Sequence, residues 1–254
     1  MGQDDVQGDV AEGEAGGGQA GDQAGEQAGE QAGRQEPARE VALEVAQEVA
    51  WDSNPDTLVT RQDDSGVTTL TLAQPRSINA LSEAMLRALQ SRLDDIAGDR
   101  SVRAVILRGA GDHFCAGHNL KEMTAARGAE DGGFQYFQDL FATCSRMMQR
   151  IVTLPQPVIA EVSGIATAAG CQLVATCDLA VASQDARFAT SGVNIGLFCS
   201  TPMVALSRNV ARKHAMEMLL LGDFITADRA ADMGLVNRAV PLAELAQTSR
   251  AMAR

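Results

Sequence analysis

The fold of this chain is decided by two glycine-centred stretches, Phe114–Met123 (FCAGHNLKEM) and Val162–Gln172 (VSGIATAAGCQ). Each follows a predicted strand and leads into a predicted helix, and its small residues let the backbone pass close to a ligand. A helix N-terminus presents unpaired N–H groups. Two such groups aimed at one point would form an oxyanion hole for a carbonyl that gains negative charge. Taken one at a time, both stretches are also compatible with ordinary strand-to-helix turns.

The sequence on either side of these stretches alternates between strand and helix patterns, which predicts an α/β fold with a mostly parallel sheet. Strands are predicted at 58–62, 67–72, 104–107, 158–162, 179–182 and 236–240. Helices are predicted at 83–98, 134–151, 168–176, 202–212, 214–221 and 226–233, and Ser82 is the expected N-cap of the first.

Charge and composition divide the 254 residues into two parts. Residues 1–50 hold twelve acidic residues and two arginines, with few large apolar side chains. Such a segment cannot bury enough apolar surface to offset its ordering entropy, so residues 1–50 are predicted to be a disordered, acidic, low-complexity tail. Residues 57–254 are predicted to form one folded domain, and this part of the chain is almost neutral.

The same features argue against several classes of protein. The absence of a basic surplus argues against a nucleic-acid partner. No window of about 18 apolar residues predicts a membrane span. The three histidines are scattered along the sequence, so no metal site is predicted. The acidic N-terminal segment does not look like a transit peptide, which favours the cytoplasm.

Several blocks of the sequence resemble the crotonase (enoyl-CoA hydratase/isomerase) superfamily. Phe114–Met123 is similar to the family block F-x-A-G-x-D-L-x-E-M. Further similar blocks follow the family's order: PRSINAL at 75–81, PVIAEVSG at 157–164, CDLAVA at 177–182 and a segment ending in GLV at 234–236. The resemblance as a whole spans roughly Leu58 to Arg254.

The resemblance implies a crotonase-type ββα superhelix that binds acyl-CoA or enoyl-CoA. It also implies a role in fatty-acid metabolism, with no cofactor beyond the coenzyme A thioester itself. Members of the family assemble as trimers or hexamers, so a homo-oligomer is expected if the C-terminal region is present in the full protein. The resemblance points to mitochondria as the alternative to the cytoplasm.

The resemblance assigns the two oxyanion amides to His118 and Ala169. The imidazole of His118 could act as a general base or form part of the pocket wall. Lys121 could contact a phosphate or be an ordinary solvated lysine. The positions that match the family's substrate contacts are Ala80, Ala116, Asn119, Leu120, Lys121 and Gly170.

The departures from the family pattern bear on the reaction. Hydration needs two carboxylates that flank a water molecule, and the family's two glutamates fall on Gln172 and Gly192. Neither residue can transfer a proton, and the loss of such a group commonly costs about 10²–10⁴-fold in rate. The sequence therefore predicts an enoyl-CoA hydratase-like lyase with weak or absent hydratase activity. The alternatives are a non-catalytic acyl-CoA binder or interaction protein, or another oxyanion-hole enzyme such as an isomerase or thioesterase.

A second departure lies at the C-terminus. Family members continue past the position of Arg254 as helices that cover the acyl pocket and support trimerisation. That helical segment is expected to be missing here, so the sequence is either a fragment or belongs to a protein that oligomerises differently. An apolar face left exposed in this way would need a partner.

Overall fold

The computed structural model describes residues 55–254. The predicted tail at residues 1–50 lies outside the described residues. The strands are β1 Val59–Asp64, β2 Val67–Leu72, β3 Ala104–Gly109, β4 Val158–Val162, β5 Ile165–Thr167, β6 Leu179–Ser183, β7 Arg187–Ala189, β8 Ile225–Thr226 and β9 Arg238–Val240. The α-helices are α1 Pro55–Leu58, α2 Glu83–Gly98, α3 Leu120–Ala126, α4 Phe134–Thr153, α5 Ala169–Thr176, α6 Ser200–Asn209, α7 Arg212–Leu221, α8 Ala227–Asp232 and α9 Leu242–Ala253. Pro75–Ser77 and Ser191–Ile195 form 3₁₀ helices.

Two sheets organise the described part of the chain. The larger has the strand order β1-β2-β3-β4-β6-β9, and the smaller has the order β5-β7-β8. In the larger sheet β1 and β2 are antiparallel, whereas every other neighbouring pair is parallel. The predicted α/β class with mostly parallel strands is confirmed.

The first repeat of the fold follows directly from local sequence signals. The β1–β2 turn uses left-handed conformations at Ser65 (φ 54°) and Gly66 (φ 82°), a combination that matches the twist of a two-residue hairpin. Ser82 caps α2 as predicted, because its Oγ accepts a hydrogen bond from the Met85 N–H at 3.1 Å. The apolar face of α2 is buried in the core.

The core lies between the larger sheet and the helices that cover it. Every residue of β4 is buried, as expected for a parallel strand that is covered on both faces. The one carboxylate in β4, Glu161, accepts a hydrogen bond from the Ser249 hydroxyl of α9. Arg108 in β3 lies 3.5 Å from the same carboxylate. This buried contact joins α9 to the sheet.

Sequence patterns missed or misplaced several elements. The smaller sheet was not predicted, because strands of two or three residues are too short to show alternation. Helix α9 was also missed. The helix predicted at 202–212 was wrong at its C-terminal end: α6 stops at Asn209, and Val210 is extended (φ −113°, ψ 137°) before α7 begins.

Candidate active site

The small strand β5 brings the two glycine-centred stretches together. The N–H groups of Phe114 and Cys115 both donate to the Ile165 carbonyl, at 3.1 and 3.0 Å. The Thr167 N–H returns a hydrogen bond to the Cys115 carbonyl at 3.0 Å. These bonds extend a ladder between segments that are about fifty residues apart in sequence, and they bring Gly117 against the start of α5.

A second set of hydrogen bonds holds the first stretch from its other side. The Asn79 side chain accepts from the Gln74 N–H at 2.9 Å and donates to the carbonyls of Ala110 (3.0 Å) and His113 (2.9 Å). The Leu81 N–H then donates to the Gly117 carbonyl at 2.7 Å. Asn79 is fully buried, so these bonds fix the loop without competition from water.

Glycine is required at position 117. Its φ of +90° lies in the left-handed region, and a Cβ there would sit 3.0 Å from the Ala168 Cβ and 3.1 Å from the Ala169 nitrogen. The backbone at Gly117–His118 therefore runs directly alongside Ala168–Ala169. His118 and Ala169, whose amides the resemblance assigns to an oxyanion hole, belong to these two facing segments.

Ala168 carries backbone strain at this point. Its φ of 50° and ψ of −118° are unfavourable for a residue with a side chain, and such strain costs on the order of 1–3 kcal/mol. The Ala168 N–H is held by the Ala189 carbonyl at 3.0 Å. Within the described part of the chain, the N–H groups of His118 and Ala169 donate to no other group. Both amides are thus without a partner among the described residues, and the strained Ala168 directly precedes one of them.

The side chain of His118 forms part of an aromatic wall. Its ring meets Phe141 of α4 edge to face, with a centroid distance of 5.7 Å. Burial lowers the pKa of the imidazole to about 4, a shift that the Leu81 backbone only partly opposes. The ring is therefore neutral at pH 7 and a weak base. This favours the pocket wall over the general base as the role of His118.

Gln172 lies one turn into α5, and 7% of the residue is exposed. Its N–H donates to the Ala168 carbonyl at 3.0 Å, which ties it to the strained residue. Its side-chain Oε1 is buried and accepts no hydrogen bond from any described residue. This carboxamide stands at one of the two positions where the resemblance implies a glutamate.

Gly192 stands at the second of these positions, inside the 3₁₀ helix Ser191–Ile195. The Leu197 N–H donates to the Gly192 carbonyl at 2.9 Å, so the chain folds back over the glycine. A Cβ at position 192 would overlap the Leu197 carbonyl and lie 2.8 Å from the Cys199 sulfur. The backbone of the next turn therefore occupies the space that any longer side chain would need.

A pair of hydroxyl groups, which sequence patterns gave no means to find, joins the two parts of the site. Thr167 Oγ1 and Ser191 Oγ lie 2.8 Å apart and share a hydrogen bond. Thr167 immediately precedes the strained Ala168, and Ser191 immediately precedes Gly192. This bond couples Ser191–Cys199, called the 190s loop below, to Ala168–Ala169, which together with Gly117–His118 is called the oxyanion segment below.

The positions carried over as substrate contacts differ in their surroundings. Ala80 is buried, and the Ala116 N–H donates to the Ile78 carbonyl at 2.9 Å. The Asn119 Oδ1 accepts from the Lys121 N–H at 3.0 Å and thereby caps α3, which gives Asn119 a structural role. Leu120 is exposed and Lys121 is half-buried in the first turn of α3.

Gly170 packs against the first stretch, and a Cβ there would overlap the Cys115 carbonyl oxygen. Two other buried groups near the site do not form a nucleophile. Burial raises the pKa of Cys171 to about 12, and burial also raises the pKa of Cys199. Both therefore remain protonated thiols at pH 7, so a catalytic Cys–His pair is not supported.

Comparison with known proteins agrees with this geometry. The family model for enoyl-CoA hydratase/isomerase matches residues 62–254. The chain belongs to this family, whose members act on acyl-CoA thioesters. The predicted crotonase fold is confirmed.

Among individual relatives, the chain is 50% identical to the mitochondrial enoyl-CoA hydratase domain-containing protein 3 of Xenopus laevis, over 72% of this chain and 61% of the relative. It is similar to the crystal structure of an enoyl-CoA hydratase from Mycobacterium smegmatis, with 57% identity and a TM-score of 0.73 over 77% of this chain and 75% of that one. The human enoyl coenzyme A hydratase domain-containing protein 3 gives 46% identity and a TM-score of 0.73, over 78% and 76% of the two chains. The chain spans 61–66% of the length of the first three curated relatives that it matches.

Proposed function

We propose that this protein binds acyl-CoA thioesters, with the thioester carbonyl accepting hydrogen bonds from the amides of His118 and Ala169. The observation that carries the proposal is the close approach of Gly117 to Ala168–Ala169, together with the N–H groups of the adjoining His118 and Ala169, which have no described hydrogen-bond partner. Membership of a family that acts on such thioesters supports it. The contacts at Ala80, Ala116, Asn119, Leu120, Lys121 and Gly170 stay part of this proposal.

Hydration of 2-enoyl-CoA by this protein is expected to be weak or absent. Gln172 is neutral and cannot take a proton from water, and Gly192 has no side chain. Burial lowers the pKa of the His118 imidazole to about 4, so this side chain is a poor base. The arrangement can polarise a thioester without supplying the acid and base that hydration needs.

Calorimetric titration of the purified chain with butyryl-CoA tests the binding step. Free coenzyme A serves as the ligand control. Gly117→Ala should abolish the difference between the two ligands, because the added Cβ would push apart the two amides. Gly132→Ala is the matched variant: its φ of +65° carries a comparable backbone penalty, but no atom lies within 4 Å of the added Cβ. Equal affinity for butyryl-CoA and coenzyme A would contradict the proposal.

Two alternatives remain, and neutral groups at positions 172 and 192 favour the first. A non-catalytic acyl-CoA binder would bind thioesters tightly and return them unchanged. An isomerase or thioesterase would use the same oxyanion hole and release a rearranged or hydrolysed product. Product analysis by mass spectrometry after incubation with 2-enoyl- and 3-enoyl-CoA separates the two.

Location and assembly belong to the same proposal. Vertebrate relatives are named mitochondrial, which supports the mitochondrial alternative and leaves the cytoplasmic prediction without support. Within residues 55–254, no helix is long and apolar enough to cross a membrane. A trimer or hexamer stays a prediction, supported by exposed apolar side chains on the described surface at Ile195, Leu197, Phe198, Leu220 and Leu221.

A further inference from the structure

The hydrogen-bond ladder between the two glycine-centred stretches becomes irregular at Ile165. In a parallel ladder, the N–H of every second residue on one strand donates to a carbonyl of the neighbouring strand. Thr167 follows this rule, because its N–H donates to the Cys115 carbonyl at 3.0 Å. The regular acceptor for the Ile165 N–H would then be the carbonyl of His113, two residues before Cys115.

The side chain of His113 takes the place of that carbonyl. The His113 carbonyl accepts a hydrogen bond from the Asn79 side-chain amide at 2.9 Å. The Ile165 N–H donates instead to the Nδ1 atom of the His113 ring, at 3.3 Å. An imidazole nitrogen accepts a hydrogen bond only while it is unprotonated, so the neutral ring carries its proton on Nε2. An imidazole therefore completes the ladder where a backbone group would be expected.

The second stretch leaves room for this ring. Gly164 directly precedes Ile165, and its φ of +55° lies in the left-handed region. A Cβ at position 164 would overlap the His113 Nδ1 atom and the Asp112 carbonyl oxygen. The hydrogen bond and the glycine are separate features, and both fix the imidazole in the same place.

The place of the ring matters because β5 leads directly into the oxyanion segment. Ile165 is the first residue of β5, and Ala168 and Ala169 follow the last one. One edge of β5 pairs with β7, and the other edge faces the first stretch. A strand of three residues has few hydrogen bonds to hold it, so the loss of the bond at its first residue should shift the residues that follow.

We propose that His113 is a positioning residue for thioester binding. Its Nδ1 atom holds the start of β5 and thereby sets the place of the Ala169 amide relative to Gly117–His118. This inference rests on the proposed function, because it takes the Ala169 amide to be one of the two groups that bind the thioester carbonyl. The ring acts through Ile165.

The first test uses the wild-type chain alone. Amide hydrogen exchange of the ¹⁵N-labelled protein, followed by NMR, compares the Ile165 N–H with the Thr167 N–H, which donates to a backbone carbonyl of the same ladder. The two amides should be protected from exchange to within about tenfold of each other. An Ile165 amide that exchanges as fast as an unpaired one, while Thr167 stays protected, overturns the inference.

Two variants of the same shape then test the role of the acceptor. Asparagine and leucine both branch at Cγ, but only asparagine presents an acceptor, its Oδ1, at the place of Nδ1. Calorimetry gives the ratio of the affinities for butyryl-CoA and free coenzyme A. His113→Leu should reduce this ratio roughly fivefold or more, as the loss of one hydrogen bond predicts, whereas His113→Asn should keep it within about twofold.

His214→Leu is the matched control, since it removes an imidazole from α7 and should leave the affinity ratio unchanged. Urea denaturation of each variant separates positioning from general stability. A merely structural histidine would lower the stability of the leucine variant without changing the ratio.

The outcomes distinguish the inference from the proposed function. An unchanged ratio in His113→Leu, or an equal loss in the leucine and asparagine variants, overturns the inference and leaves acyl-CoA binding intact. If His113→Leu does not fold, His113→Asn decides: retention of both the ratio and the protection of the Ile165 amide supports the inference, and loss of either overturns it. Equal affinity of the wild type for butyryl-CoA and coenzyme A overturns the proposed function and the inference with it.

Discussion

The oxyanion segment and the 190s loop lie side by side, yet they differ in how their chemistry is built. At Gly117–His118 and Ala168–Ala169 the groups of the proposed oxyanion hole are backbone amides, so a change of side chain, even to histidine, leaves them in place. At Gly192 the group that the resemblance implies is a side chain, which glycine lacks. The Leu197 carbonyl and the Cys199 sulfur occupy the space that such a side chain would need. Chemistry made by the backbone thus tolerates substitution, whereas chemistry made by side chains is lost with one residue.

The largest expected effect comes from forcing the two glycine-centred stretches apart. Gly170→Ala places a Cβ against the Cys115 carbonyl and should lower the free energy of unfolding by about 3 kcal/mol, measured by urea denaturation. Gly98→Ala in α2 is the matched control, because nothing lies within 4 Å of its Cβ and alanine favours a helix by about 0.5–1 kcal/mol. Equal effects at both positions would mean that the stretches are not in close contact.

The next test compares the two positions where the resemblance implies a glutamate. Gly192→Glu should destabilise the protein by about 2 kcal/mol, because the loop must shift to admit a Cβ. Gln172→Glu fills the same volume as glutamine, and its cost comes instead from burying a carboxyl group, whose pKa burial raises. Thermal melts at pH 5 and pH 8 distinguish the causes: the Gly192→Glu loss should not depend on pH, and the Gln172→Glu loss should grow at pH 8. A Gly192→Glu loss that grows at pH 8, with a Gln172→Glu loss that does not depend on pH, would contradict the claim that Leu197 and Cys199 fill the space beside Gly192.

A pH effect of similar size tests the burial of His118. Its pKa falls from an ordinary 6.5 to about 4 in the folded protein, so protonation favours the unfolded chain. Stability should be complete above pH 6.5 and decline as the pH falls towards 4. By pH 5 the wild type should lose about 2 kcal/mol relative to its value at pH 7. His118→Phe should lack this component in urea titrations at the two pH values; an unchanged pH dependence would show that the ring is solvated.

The smallest effect concerns the hydrogen bond that couples the two regions. Thr167→Val removes one hydroxyl of the pair with Ser191 and should cost about 1 kcal/mol in unfolding free energy. Ser191→Ala should cost a similar amount, and the double variant little more, because both remove the same bond. Full additivity in this double-mutant cycle would show that the hydroxyl groups do not interact.

Much of this structure could be predicted from the sequence. The β1–β2 hairpin, the Ser82 cap and the buried strand β4 follow from turn, capping and hydrophobic patterns, which are local. The assignment of the oxyanion amides to His118 and Ala169 comes from the family resemblance and stays a prediction. The strain at Ala168 and the Thr167–Ser191 bond arise from contacts between distant segments, so no local pattern carries them.

The surroundings of Gly192 also arise from contacts that no local sequence pattern predicts. The sequence has a glycine where the resemblance implies a carboxylate, but only the structure shows that the Leu197 carbonyl and the Cys199 sulfur occupy the space beside it. Likewise, the sequence shows a histidine at position 118, and only its packing against Phe141 shows why the ring stays neutral.

The most direct test of the central claim is hydration of crotonyl-CoA by the wild-type protein, followed as loss of the enoyl absorbance under conditions where calorimetry shows the thioester bound. Gln172→Glu is assayed alongside. The account predicts binding without measurable turnover in the wild type and a gain of about 10²-fold or more in the variant, because a base is restored beside an intact oxyanion hole. Turnover by the wild type at the rate of an ordinary hydratase would contradict it and show that another residue transfers the proton.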